Sequence, residues 1–87
     1  MTKIYSKTDG CGIIRWCIKG SRILHREDGP AIERPDGRKF WFQNGNLHRV
    51  DGPAVEHADG RKEYWLNDKR YPNIKTNEEW IIFQIIN

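Results

Sequence analysis

The sequence predicts a mainly all-β fold, an antiparallel meander of repeated β-hairpins with one short C-terminal helix. Three observations predict it. The block LHREDGPAIERPDGRK at 24–39 returns as LHRVDGPAVEHADGRK at 47–62, with a constant offset of 23 residues. A fixed period in the twenties marks a repeat architecture, in which each unit is one supersecondary element stacked on the next. Asp-Gly and Asn-Gly pairs stand between β-prone runs, and Gly and Asn accept the positive φ that hairpin turns demand. Near the end, Thr76-Asn77-Glu78-Glu79 has the form of a capping box, a helix start.

In chain order, residues 1–10 are polar and end on Asp9-Gly10, a turn signal. Ile13–Ile18 is a short apolar run rich in β-formers, closed by Lys19-Gly20-Ser21. It reads as a degenerate first repeat over 10–23. Trp16 stands four residues before Gly20, as Trp41 stands four before Gly45, but the connection from Trp to His is two residues longer in this unit. Such irregularity is expected of a terminal, capping repeat. The regular repeat spans 24–46: Ala31–Arg34 is a strand, Pro35-Asp36-Gly37 a turn, Arg38–Gln43 a second strand and Asn44-Gly45-Asn46 a second turn. Pro30 and Pro53 cannot donate to a ladder and belong at strand starts or on turns. The repeat at 47–72 follows the same plan through Trp65, with Asn67-Asp68 replacing Asn44-Gly45. This makes roughly six to eight short strands. Over 76–86 the cap and an acidic first turn favour a capping helix, although WIIFQII is β-prone by propensity. That helix is expected across one face or end of the sheet, because a single-layer meander leaves apolar faces uncovered.

The 87 residues make a single domain, 1–87, whose small core leans on large rings: four Trp, three Tyr and three Phe. Charged residues make up 31% and are well mixed, which argues against disorder. A net charge of +3 falls short of the basic footprint of a dedicated nucleic-acid binder. Cys11 and Cys17 lie six apart with no second CxxC pair and no matched His spacing. No metal site and no cofactor is therefore predicted, and a reduced, cytoplasmic chain is the simpler reading. No apolar run approaches a membrane span and the N-terminus lacks the apolar core of a signal peptide, so no membrane partner is expected.

His25 and His48 are each followed three residues on by an aspartate, Asp28 or Asp51. A base with its orienter would look like this, but no Ser or Cys nucleophile recurs beside the pair. A catalytic site is built once, not stamped into each repeat, so no catalytic residue is assigned and the chain is not read as an enzyme. The pair reads instead as turn chemistry, with the carboxylate bonding main-chain N–H groups of the DGPA turn while the imidazole packs nearby. His57, which replaces Arg34, reads as a surface residue.

Aligning the second strands, Trp41 matches Tyr64 and Phe42 matches Trp65, so large rings occupy adjacent positions and opposite faces. Phe40 matches Glu63, a position that tolerates charge and is expected to be exposed in at least one unit. Arginine and aromatic side chains dominate binding hot spots, which marks Phe40, Trp41, Arg38 and Arg61, with Glu63, as the expected protein-binding residues. The alternative is nucleic-acid binding by recurring cations, Arg26, Arg49, Lys39 and Lys62, with rings for base stacking. Against it, Glu27, Glu33, Glu56 and Glu63 interleave with the cations, and cross-strand ion pairs account for the same pattern.

The pattern LHR-x-DGPA-x-E-xx-DG-x-K, followed by an aromatic pair and N-G, resembles the MORN-repeat-like family. It resembles more closely the MORN-variant proteins of bacteria and their phages that carry LHRxDGPA units. The likeness covers 24–66, and 10–23 and 67–72 more loosely. It implies a hairpin array with a recognition or scaffolding role and no shared catalytic reaction. The longer LHRxDGPA connection departs from the Tyr-x-Gly core of ordinary MORN units, so lipid binding is not carried over. The partner implied is a host protein or complex, bound by a small phage-encoded modulator or inhibitor in the host cytoplasm. A homodimer through an uncovered sheet edge is the other open arrangement.

Overall fold

Each regular repeat is built on one strand that leaves the sheet and returns to it. The computed structural model describes residues 4–86, so positions 1–3 of the polar N-terminal stretch lie outside the described residues. Ten short strands and one helix follow in order: β1 (Ile4–Thr8), β2 (Ile14–Ile18), β3 (Ile32–Glu33), β4 (Lys39–Phe40), β5 (Phe42–Gln43), β6 (Asn46–Leu47), β7 (Val55–Glu56), β8 (Lys62–Glu63), β9 (Trp65–Leu66), β10 (Lys69–Arg70) and α1 (Asn77–Ile86). Six strands form an antiparallel meander in the order β1-β2-β3-β4-β7-β8, while β5–β6 and β9–β10 form separate hairpins. The fold is mainly β with one short C-terminal helix, as the sequence predicts.

Two elements differ from expectation. Ile4–Thr8, in the stretch read only as polar, is a strand that pairs with β2 from Ile4↔Ile18 to Thr8↔Ile14. As an edge strand it keeps exposed polar side chains, so it lacks the apolar signal of an inner strand. The strand expected over 38–43 is divided at Trp41, and its counterpart is divided at Tyr64.

The main-chain bonds explain the division. Trp41 N–H donates to Ala54 O (2.7 Å), and Trp41 O accepts from His48 N–H (3.0 Å). One residue thus closes both ends of the segment 48–54. Trp16 does the same for the unit before, giving its N–H to Ala31 O (2.7 Å) and accepting from His25 N–H (2.9 Å). On the other side, Arg26 N–H reaches Phe42 O (3.1 Å) and Ala31 N–H reaches Phe40 O (2.8 Å). Leu24–Arg26 and Ala31–Glu33 are therefore halves of one strand, with residues 27–30 extruded between them. Residues 50–53 are extruded in the same way.

The turns are those the glycines and asparagines dictate. Gly37 (φ 98°) closes the three-residue connection Pro35–Gly37, with Arg34 N–H bonded to Arg38 O at 3.0 Å, and Gly60 (φ 94°) repeats it. Asn44 and Gly45 both take positive φ (51° and 82°), as do Asn67 and Asp68 (47° and 68°), the type I′ geometry that matches strand twist.

The helix starts at the capping box. Thr76 Oγ1 accepts from Glu79 N–H at 3.1 Å, and Glu79 Oε1 accepts from Lys75 N–H at 3.3 Å. The glutamate thus reaches one residue further back than the box predicts, and the Thr76 hydroxyl donates to the same carboxylate (3.2 Å). The helix covers one end of the array, where Trp80 tilts against Tyr64 and Tyr71 (both 5.4 Å) and stacks on Phe83 (5.9 Å). The buried apolar core is small: Ala31, Ala54, Val55, Tyr64 and Trp80.

Candidate protein-interaction site

The recurring LHRxDGPAxE block folds as a lock around one arginine. The Arg26 guanidinium lies 4.2 Å above the Trp16 ring, and Arg49 lies 4.0 Å above Trp41, each in cation–π contact. Arg26 donates from Nε to Asp28 (3.1 Å) and from NH1 to Pro30 O (3.2 Å) and Glu33 (3.3 Å). Arg49 repeats these bonds with Asp51 (2.9 Å), Pro53 O (3.1 Å) and Glu56 (3.3 Å). A Cβ on Gly29 or Gly52 would stand 2.9 or 3.0 Å from the arginine Cζ, so any side chain there must displace the guanidinium from its place in the lock. Each lock straddles a boundary: the arginine of one unit closes over the tryptophan of the unit before.

The histidines serve the next turn. His25 Nδ1 accepts from Asn44 N–H (2.9 Å) and His48 Nδ1 from Asn67 N–H (3.1 Å). His25 is only 3% exposed, and among the described residues its Nε2 has no hydrogen-bond partner, lying 3.5 Å from Glu27 Oε1. The expectation that Asp28 and Asp51 bond the main chain is corrected: both hold the arginine, whose fork makes the stronger, charge-assisted bonds. Main-chain bonding falls instead to Asp36 and Asp59, which accept from Arg38 N–H and Arg61 N–H (both 3.0 Å).

The third unit shows how the array stops. Tyr71 N–H donates to Tyr64 O (2.9 Å), the bond that His48 makes to Trp41, so Tyr71 takes the histidine position and Tyr64 the tryptophan position. Where an arginine would follow there is Pro72. Trp80 covers Tyr64 instead, while its Nε1–H donates to Arg49 O (2.9 Å) and Gln84 Nε2 donates to Val50 O (2.7 Å). The Tyr64 hydroxyl donates to Asn77 Oδ1 (2.8 Å), and burial together with the Glu79 charge pushes its pKa up. The helix is thereby clamped to the second extruded loop.

The residues expected to bind protein divide between the two faces. Ile32, Phe40, Val55 and Glu63 are neighbours in register across β3, β4, β7 and β8, and alternation puts Arg38 and Arg61 on their side. Trp41 points to the other face, under Arg49. Arg38 and Arg61 are paired with Asp36 (2.9 Å) and Asp59 (2.8 Å). Glu63 accepts from Trp65 Nε1 (3.0 Å) and pairs with His57 (2.6 Å), with Arg70 at 3.7 Å. Burial pushes the Glu63 carboxyl up, but the bonds from His57 and Trp65 and the Arg70 charge outweigh it and leave the pKa below the usual value. His57, expected at the surface, is half-buried because this carboxylate draws it in.

The cations of the nucleic-acid alternative do not form a free row. Arg26 and Arg49 are engaged in the locks, and Lys39 and Lys62 alternate in register with Glu33 and Glu56. Sequence reasoning missed the outer side of α1. Trp80, Phe83 and Gln84 face inward, whereas Ile81, Ile82, Ile85 (76% exposed) and Ile86 (74%) face outward. Val50, on the loop that Gln84 holds, is exposed as well. The signal was present in WIIFQII, which is apolar all round: a helix at the end of so small a domain buries one stripe and leaves the other bare.

Cys11 and Cys17 are free thiols. Among the described residues no helix is long and apolar enough to cross a membrane, and no three His, Cys, Asp or Glu side chains gather as metal ligands would. Comparisons with protein-family models, with curated proteins and with solved structures return no match.

Proposed function

We propose that the chain is a small non-catalytic module that binds another protein through the outer stripe of α1. The observation that carries this reading is the run of exposed Ile81, Ile82, Ile85 and Ile86 on a helix fixed in place from its other side. Contiguous exposed apolar surface of this kind marks an interaction site. A helix that presents anchors at i and i+4 suits a hydrophobic groove on a partner. The helix needs no folding on contact, because Trp80, Gln84 and Asn77 already hold it to the array, which lowers the ordering cost of binding. The likeness of the repeats to MORN-variant proteins of bacteria and phages supplies the context: a phage-encoded modulator or inhibitor of a host enzyme or defence complex, acting in the host cytoplasm.

The test is capture of partners from bacterial lysate by the tagged chain, with and without nuclease, beside an Ile82→Glu, Ile85→Glu variant. The expected result is a discrete protein that survives nuclease and is lost with the variant, while the variant keeps the wild-type circular dichroism spectrum. A partner retained by the variant would overturn the assignment of the site. Capture that vanishes with nuclease would move the function to nucleic acid, a second reading that rests on the surplus of cations around Lys62.

A further inference from the structure

The six-stranded sheet ends at β8, and the outer edge of that strand is open. In the two earlier units the corresponding edge is filled from the following unit. Ala31-Ile32-Glu33 lies beside Trp16-Arg15-Ile14, with Trp16 N–H bonded to Ala31 O. Ala54-Val55-Glu56 lies beside Trp41-Phe40-Lys39, with Trp41 N–H bonded to Ala54 O. Among the described residues no strand lies on the outer side of Tyr64-Glu63-Lys62, and the Tyr64 N–H has no main-chain acceptor. By the alternation seen at Trp41 and Lys39, the main-chain groups of Tyr64 and Lys62 face this edge.

A cleft of about 460 Å³ lies at this edge, lined by Gly60–Tyr64 and by Arg70–Pro72, Ile74 and Lys75. Four cations line it, Arg61, Lys62, Arg70 and Lys75; Arg61 is held by Asp59 and Arg70 lies 3.7 Å from Glu63, the one carboxylate of the lining. That carboxylate is already occupied by His57 and Trp65. Lys62 makes no side-chain hydrogen bond or ion pair among the described residues, because its register neighbour Glu56 is held by Arg49. Within the sheet, Lys39 has a glutamate on both sides in register, Glu33 and Glu56; Lys62 has one on one side only.

We propose that β8 accepts an extended acidic segment of a partner protein as an added antiparallel strand. Its main chain bonds Lys62 and Tyr64, and its carboxylate sits beside Lys62. The repeat itself supplies the template, since Ala-x-Glu is what occupies the same edge in each earlier unit. Strand addition of this kind draws affinity from main-chain bonds and specificity from alternate side chains. Opposite charges directly across a strand pair stabilise it and like charges destabilise it. The surface is separate from the isoleucine stripe of α1, and the inference does not rest on that reading.

The test is NMR titration of the ¹⁵N-labelled chain with a synthetic peptide of its own residues 51–58, DGPAVEHA, at millimolar concentration. Expected are shifts at Lys62, Glu63, Tyr64 and 70–75, with slowed exchange of the Tyr64 amide. The peptide carrying Glu56→Lys should bind about tenfold more weakly, and the Lys62→Glu chain should reverse that preference. The Ile82→Glu, Ile85→Glu variant should bind the peptide as the wild type does, which separates failure here from failure of the helix site. No shift along β8, or equal binding of both peptides, overturns the proposal. So does inorganic phosphate or oligothymidylate shifting the same amides while the peptide leaves the Tyr64 amide unprotected, since the cleft would then be a plain anion site.

Discussion

Replacing Gly52 by alanine should destabilise the protein when Arg49 is present and cease to do so when it is absent. The added Cβ would stand 3.0 Å from Cζ and 3.2 Å from Nε and NH1 of Arg49. The guanidinium must then lift from the Trp41 ring and loosen its bonds to Asp51, Pro53 O and Glu56. The cation–π contact is worth about 1 kcal/mol, the carbonyl bond about 1, and the partly exposed ion pairs a few tenths each, so Gly52→Ala should cost about 2 kcal/mol. For a domain this small that lowers the melting temperature by about 10 °C. Gly52 is not in the left-handed region, so the backbone itself tolerates alanine. In an Arg49→Ala background the same substitution should be neutral or stabilising by about 0.5 kcal/mol, through lost freedom of the unfolded chain. Urea unfolding of the wild type, both single variants and the double variant completes the cycle. Additive effects would refute the view that this glycine exists to admit the guanidinium.

Two further outcomes follow from the same geometry. His25→Ala should cost about 2–3 kcal/mol, because a buried ring and the acceptor for Asn44 N–H are lost together, whereas the more exposed His48→Ala should cost about 1 kcal/mol; urea midpoints in the reverse order would contradict the assigned roles. The folded pKa of Glu63 is depressed, so its contribution is fully present above the unfolded value of about 4.3 and is lost as pH falls through the folded value; urea midpoints should fall over that window in the wild type and change less in Glu63→Gln.

The hairpins were legible because positive φ is a local property: Asn44-Gly45 and Asp36-Gly37 announce their turns whatever surrounds them. The helix start was legible for the same reason, through Thr76 and Glu79. What depends on a distant partner was not. Nothing near Trp41 reveals that its N–H and C=O go to residues six apart, so its strand read as continuous. Recurrence marked Arg26 and Arg49 as significant, yet a row of free charge and a row of locks repeat identically in sequence. Of the residues expected to bind protein, Phe40, Glu63, Arg38 and Arg61 do share a side of the sheet, while Trp41 lies under its arginine. The exposed isoleucines of α1 were not legible, because which stripe of the helix turns inward is settled only by Trp80 finding Arg49 O.

Because each lock joins an arginine to the tryptophan of the unit before it, no unit is finished by its own residues. During synthesis Trp16 stays bare until Arg26 emerges, Trp41 until Arg49, and Tyr64 until Trp80 arrives from a helix rather than from another repeat. The length of the array is therefore decided by its terminator. Copying a 23-residue cassette ahead of residue 47 would leave every ring a cover and the same Pro72 and Trp80 to close the last, so a gene of this design grows by duplication without having to invent a new end.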